Sequence, residues 1–158
     1  MKVLSIDPGF ERLGIAVIEK LKGEKEKLLF SECFETEKKL SFEKRLVLLG
    51  EHLEKILLEF SPDHLAIESL FLNTNQRTAM HVAEARGVII YAGVKAGLQL
   101  FEYSPPQIKV AVAGNGRADK KAITKMIPLL LKIEKQIKRD DEYDAIAIGL
   151  AHLAIAHI

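Results

Sequence analysis

The sequence predicts an α/β fold in which one mixed, five-stranded sheet carries helices on both faces. The first part of the chain contains three apolar segments rich in β-branched residues, separated by turn sequences, a pattern typical of antiparallel strands. The rest alternates helical spacing with short apolar runs, and such alternation places helices over a sheet. With 158 residues, 48% of them hydrophobic, the chain can bury one core. We therefore expect a single domain spanning residues 1–158.

Three predicted strands open the chain. Residues 2–6 form an apolar run that ends at Asp7-Pro8-Gly9, a sequence that favours a tight turn. Residues 13–18 and 28–34 predict the second and third strands, with Lys22-Gly23-Glu24 at the tip of the connecting hairpin. These strands should pair as an antiparallel meander.

Helices and strands alternate after this meander. Ser41 fits the N-cap of a helix whose apolar residues recur in steps of three and four until Pro62 ends it. Residues 63–68 predict a buried strand that ends in Glu68, and Gly87 is expected to be a close-packing point in the next helix. The other predicted elements are helices at residues 74–95, 106–113, 117–131 and 140–157, and a strand at residues 98–102.

The composition excludes several classes of protein. Cys33 is the only cysteine, which rules out an internal disulfide and a cysteine-based zinc site. Residues 1–10 lack the apolar core of a signal peptide, and no apolar run approaches the roughly 20 residues that span a bilayer. We therefore expect a cytoplasmic protein that does not enter a membrane.

Four acidic residues stand at positions suited to one site. Asp7 ends the first strand, and ligands gather at the carboxyl ends of strands in sheets of this type. Glu68 closes an apolar strand, where a charge is costly unless it meets a cation or solvent. Asp141 and Asp144 lie three residues apart at the start of the last helix and so face the same side.

Each of these residues also has a simpler explanation. Asp7-Pro8-Gly9 is a good turn sequence, and acidic residues in a first helical turn favour the helix dipole. Their convergence changes the interpretation, because unit charges about 4 Å apart repel by roughly 4 kcal/mol at an effective dielectric of 20. Divalent cations remove that repulsion, and hard oxygen ligands favour Mg²⁺ or Mn²⁺. The pattern therefore predicts a two-metal phosphodiester hydrolase.

Basic residues concentrate between positions 109 and 125, although the formal net charge of the chain is only +1. Together with the flexible Gly114 to Gly116 loop, they could neutralise a DNA backbone, or they could form an ordinary cationic helix face. Phe71 could stack on bases at a DNA opening, or anchor a loop. The histidines are isolated in the sequence, and we assign none of them a role. The basic residues of the segment are Lys109, Arg117, Lys120, Lys121 and Lys125.

An ordered set of motifs, read together, resembles the RuvC family of bacterial Holliday-junction resolvases over essentially the whole chain. The resemblance implies a ribonuclease H-like fold and Mg²⁺-dependent endonuclease activity that resolves four-way DNA junctions by symmetric nicks in recombination and repair. It also implies a homodimer and the RuvA–RuvB branch-migration complex as a partner. The motifs are Asp7-Pro8-Gly9, Ala66-Ile67-Glu68 with Phe71, Ala85-Arg86-Gly87, Gly116-Arg117-Ala118-Asp119-Lys120, and Asp141 with Asp144-Ala145.

The resemblance also implies residue roles. Two Mg²⁺ ions per subunit, for which Mn²⁺ would substitute, would be held by Asp7, Glu68, Asp141 and Asp144, and these residues with Lys120 would be catalytic. The implied DNA-binding residues are Phe71, Arg77, Lys109, Arg117 and Lys121, and the helix around Ala85-Arg86-Gly87 would form the dimer. The chain departs from the family pattern at Leu13, where threonine is common, and at Glu142-Tyr143, where small residues are usual.

Three alternatives stay open at this point. A nuclease of the same fold could act on another branched DNA or on RNA. Asp7-Pro8-Gly9 with Gly14 also resembles the first phosphate loop of actin-like ATPases and sugar kinases, but that architecture needs two such domains and further nucleotide motifs. A silent DNA-binding scaffold should have lost a carboxylate, and all four are present.

Overall fold

The part of the chain that the structure describes contains five strands and five helices. The computed structural model describes residues 1–9, 11–70 and 76–156, and for residues 76–78 the backbone only. The strands are β1 (Lys2–Asp7), β2 (Arg12–Glu19), β3 (Lys27–Glu35), β4 (His64–Glu68) and β5 (Gln99–Tyr103). The helices are α1 (Phe42–Phe60), α2 (Gln76–Lys95), α3 (Pro105–Ala113), α4 (Lys120–Leu130) and α5 (Asp140–Ile155).

The strands form one mixed sheet in the order β3-β2-β1-β4-β5. β1, β2 and β3 pair antiparallel, as the meander predicts, whereas β1 with β4 and β4 with β5 pair parallel. Because β1 and β4 run in the same direction, their last residues, Asp7 and Glu68, lie at the same edge of the sheet. The register places Gly14 of β2 opposite Asp7 at that edge.

Hydrophobic residues cover both faces of the sheet. Side chains alternate along β1, so that Leu4 and Ile6 pack with residues of α1 and α2, and Val3 packs with residues of α3, α4 and α5. α5 crosses the sheet very closely at Gly149. A Cβ atom at that position would lie 2.7 Å from Ser5 Oγ and 2.8 Å from Ile18 Cδ1. This close packing places the first turn of α5 at the sheet edge where Asp7 lies.

Most predicted elements are confirmed, and their ends differ by a few residues. α4 begins at Lys120 rather than at Arg117 because the Asp119 side chain accepts a hydrogen bond from the Ala122 N–H and caps the helix there. Within the chain, the prediction that Gly87 is a close-packing point is wrong, since no described atom lies within 4 Å of a Cβ built on it. Positions 74, 75 and 157 of the predicted helices lie outside the described residues. Within the part of the chain that the structure describes, no helix is long and apolar enough to cross a membrane.

Candidate active site

A cavity of about 400 Å³ opens where β1 and β4 end. Asp7 and Glu68 line it from the sheet, and Asp144 lines it from the first turns of α5. The α3 and α4 helices complete the wall and contribute two lysines together with apolar side chains. The lining residues of these helices include Ile108 and Lys109 of α3 and Lys120 and Ile123 of α4.

Asp7 has the most perturbed carboxyl group of this cavity. Its pKa is raised from 3.8 to about 7, mainly by burial and further by the negative charges of Asp144, Glu68 and Asp141. The positive charge of Lys120 opposes this effect. The other three carboxylates predicted from the sequence therefore lie within electrostatic range of Asp7, and we call the four residues the acid cluster.

Glu68 and Asp144 show the same behaviour more weakly. Burial is the main cause that raises the pKa of each, and the charge of Asp144 adds to the effect on Glu68. Lys120 lowers the pKa of both carboxyl groups. A pocket whose lining acids all resist ionisation is one that a bound cation would stabilise.

Asp141 approaches from the side of β2 and β3. Its Oδ2 lies 3.5 Å from Nη1 of Arg12 and accepts a long contact of 3.9 Å from the Cys33 thiol. A Cβ atom on Gly14 would lie 1.9 Å from the Asp141 carbonyl oxygen and 3.2 Å from Asp7 Cβ. Only a glycine at position 14 lets the α5 backbone come this close to β2.

Lys120 places a positive charge inside the acid cluster. Its Nζ donates to Asp144 Oδ2 at 2.7 Å and to Asp140 Oδ2 at 3.2 Å. The hydrogen bond to Asp144 is the main cause that raises the pKa of Lys120, so this side chain stays protonated. The sequence predicted Lys120 as a catalytic residue, and the fold brings it to the predicted carboxylates.

The acid cluster fits a divalent cation by its chemistry. All four side chains offer hard oxygen atoms, which suit Mg²⁺ or Mn²⁺. Ligating distances are not formed, however: among residues 1–9, 11–70 and 76–156, no three acidic, histidine or cysteine side chains gather around one point. Lys120 engages Asp144 and Arg12 engages Asp141 instead. The role of the cluster as metal ligands stays a prediction.

The predicted DNA-binding residues fall into two groups. Lys109 lines the cavity. Arg117 lies three residues before Lys120, the first residue of α4, and Lys121 directly follows it. The loop before them is shaped by Gly114, whose φ of 69° is left-handed. Phe71 lies outside the described residues, and so does the side chain of Arg77, so the predictions made for them stay predictions.

The sequence did not predict two features of the structure, a pair of contacting histidines and a buried glutamate. The histidines are not all isolated: His152 Nε2 lies 2.9 Å from His64 Nδ1, and its Nδ1 lies 2.8 Å from the Tyr103 hydroxyl. Burial, with a smaller effect of His64, lowers the pKa of His152 to about 4. A histidine within the apolar last helix was the available clue. Glu142 is also buried, which its position between the two aspartates did not suggest.

Comparisons with known proteins agree in one family. The family model for crossover junction endodeoxyribonuclease RuvC matches residues 3–152. The RuvC protein of Halothermothrix orenii is 41% identical over 152 residues, or 96% of this chain and 92% of that protein. The RuvC protein of Thermosipho melanesiensis is 43% identical over 149 residues, or 94% of each.

The structural comparison gives the same answer. A solved structure of T. thermophilus RuvC in complex with Holliday junction substrate matches with a TM-score of 0.92 and 30% identity, over 99% of this chain and 94% of that chain. The fold is therefore ribonuclease H-like, as predicted. Family model, full-length relatives and structure together show that this chain belongs to the RuvC family of crossover junction endodeoxyribonucleases.

Proposed function

We propose that this protein resolves Holliday junctions by paired, symmetric nicks in homologous recombination and DNA repair. One observation carries the proposal: three carboxylates and two lysines line a single cavity at the carboxyl edge of the sheet. Carboxylates suit the ions that activate water, and lysines suit the phosphates of the substrate. Membership of the RuvC family supports the four-way junction as the substrate.

The acid cluster would hold two Mg²⁺ ions per subunit, and Mn²⁺ would substitute for them. When bound, such a pair lowers the pKa of a water nucleophile and stabilises the leaving 3′ oxygen. The raised pKa values of Asp7, Glu68 and Asp144 support this assignment, because each carboxylate is ionised at a cost that a nearby cation offsets.

The lysines of the cavity have a separate task. Lys120 pairs with Asp144, and when metal ions occupy the carboxylates its ammonium group would turn to neutralise the scissile phosphate beside them. Lys109 faces the same cavity and would bind a neighbouring phosphate. Arg117 and Lys121 would extend this contact along the DNA strand, and Phe71 and Arg77 would contact the junction near its crossover. Apolar side chains such as Ile123 limit the water that reaches the reacting groups.

We also propose that the protein acts as a homodimer, since two identical sites related by a two-fold axis suit a substrate with the same symmetry. The exposed apolar residues of α2 support this proposal: Met80, Tyr91 and Val94 are 64%, 66% and 52% exposed. One sheet with a hydrophobic core on each face supports the single domain at residues 1–158. The RuvA–RuvB complex would supply the junction.

A cleavage assay tests the proposed function. The purified full chain with Mg²⁺ should nick a synthetic four-way junction at symmetric positions and leave a linear duplex of the same sequence intact. Asp7→Asn should abolish nicking and retain junction binding, because the basic side chains are untouched. Glu24→Gln, in the exposed hairpin between β2 and β3, is the matched control and should cut normally. Equal cutting of junction and duplex would reject the proposal.

A further inference from the structure

The first turn of α5 carries an acidic residue that does not point into the cavity. Asp141, Glu142 and Asp144 follow one another closely, but each helical residue turns by about 100° from the last, so Glu142 faces away from the other two. Its side chain is only 8% exposed. A buried carboxylate is costly unless it is paired and hydrogen-bonded, so this position requires specific partners.

Those partners come from two other segments of the chain. The Ser31 hydroxyl of β3 donates a hydrogen bond of 2.7 Å to Glu142 Oε1. Lys135, in the segment between α4 and α5, places its Nζ 2.5 Å from the same oxygen and also donates to the Ser31 carbonyl. β3, the segment between α4 and α5, and α5 itself therefore meet at Ser31, Lys135 and Glu142. We call these three residues the Glu142 anchor. A second ion pair, Arg139 with Glu35 at 2.8 Å, joins the same segment to β3.

The Glu142 anchor lies next to Asp141, and Glu142 and Asp141 both contact β3. Ser31 and Cys33 are two residues apart on β3, and the Cys33 thiol contacts the Asp141 carboxylate. Cys33 pairs with Gly14, over which the Asp141 carbonyl rests. Gly14 lets the first turn of α5 approach β2 closely, and the Glu142 anchor ties the same turn to β3.

We propose that Glu142, held by Ser31 and Lys135, is a positioning residue that fixes the first turn of α5 and so presents Asp141 and Asp144 to the metal ions. The inference rests on the proposed function, because it assigns a task with respect to that metal site. Glu142 itself does not line the cavity.

Metal binding separates a positioning role from a merely structural one. With Mn²⁺ as the probe, isothermal titration calorimetry on the full chain should show a dissociation constant about tenfold higher for Glu142→Ala than for the unaltered protein, the size typical of residues that orient metal ligands. Raising Mn²⁺ to saturation should restore most of kcat, and the KM for the junction should stay unchanged. Glu142→Gln keeps an oxygen for Ser31 and Lys135 and should bind Mn²⁺ within a few-fold of the unaltered protein.

Two further variants keep the test decisive. Glu134→Ala removes a carboxylate that is 77% exposed in the same segment, where it pairs with Lys132, and should leave the Mn²⁺ affinity unchanged. If Glu142→Ala does not fold, Ser31→Ala, which deletes one hydroxyl, carries the test and should weaken Mn²⁺ binding about tenfold.

The outcomes distinguish this inference from the proposed function. A folded Glu142→Ala or Ser31→Ala variant with unaltered Mn²⁺ affinity would overturn the positioning role, provided that Asp7→Asn weakens binding. If Asp7→Asn also binds Mn²⁺ normally, the metal site itself is wrongly assigned and the proposed function fails with it. A weaker affinity in Glu142→Ala with rescue by Glu142→Gln supports the anchor.

Discussion

Replacing Asp7 by asparagine should stabilise the metal-free protein at neutral and alkaline pH. Burial and the neighbouring carboxylates raise the pKa of Asp7 from 3.8 to about 7 in the folded chain. The folded protein therefore keeps a proton that the unfolded chain has released, and its free energy of unfolding falls as the pH rises between these two values. The loss is absent below the lower pKa and complete above the higher one. The asparagine side chain carries no charge, so the variant escapes this loss.

The size of the effect follows from the pKa interval. Each pKa unit corresponds to about 1.4 kcal/mol, so between pH 5 and pH 8 the unaltered protein should lose about 2.7 kcal/mol relative to Asp7→Asn. Comparing two pH values cancels the cost of burying the new amide, which is about 1 to 3 kcal/mol when the group lacks partners. The quantity to measure is therefore the change in the free energy of unfolding between pH 5 and pH 8, compared between the unaltered protein and Asp7→Asn.

Urea unfolding followed by circular dichroism, with a chelator present, measures this change. Glu24→Gln, an exposed carboxylate-to-amide change, should follow the unaltered protein at both pH values. Adding Mn²⁺ at pH 8 should stabilise the unaltered protein and leave Asp7→Asn nearly unaffected, since ligand binding to the folded state raises stability. Parallel pH slopes for the unaltered protein and Asp7→Asn would refute the electrostatic reasoning about the acid cluster.

Three other changes give separate tests. Gly14→Ala puts a methyl group 1.9 Å from the Asp141 carbonyl oxygen and should cost about 3 kcal/mol of stability in urea unfolding; a loss below about 1 kcal/mol would contradict this close approach. Lys120→Ala should slow junction nicking about a hundredfold in single-turnover assays, while Lys22→Ala, at an exposed lysine of the hairpin between β2 and β3, should not; equal rates would remove Lys120 from the reaction. His152→Gln should reduce the acid sensitivity of folding, because the pKa of His152 falls from 6.5 to about 4 on folding and stability is lost as the pH drops through that interval; identical acid unfolding curves would exclude this contribution.

The fold was predictable because its determinants are local. The β-branched runs and the turn after Asp7 identified the strands, and apolar residues in steps of three and four identified α1. Helix ends were less predictable, since they depend on single hydrogen bonds. The Asp119 cap removed three residues from the predicted start of α4, and Ser104 with Gln107 started α3 one residue early.

The active site was predictable only in its acidic residues. Asp7 and Glu68 end strands, and that position is visible in the sequence. The contacts that decide how these acids are held are not visible, because they join residues far apart along the chain. Ser31 and Glu142 are separated by 111 positions, and the His64–His152 pair by 88. Neither residue type nor spacing carries that information.

The bare backbone at Gly14 limits where this enzyme can be redesigned. A methyl group has no room there, so any side chain at position 14 would push the start of α5 outward and separate Asp141 from Asp7. The opposite wall tolerates change better, since Lys121 and Lys125 of α4 reach open solvent. Mutant libraries aimed at altered cleavage preference should vary these exposed positions of α4 and leave Lys120 and Gly14 untouched.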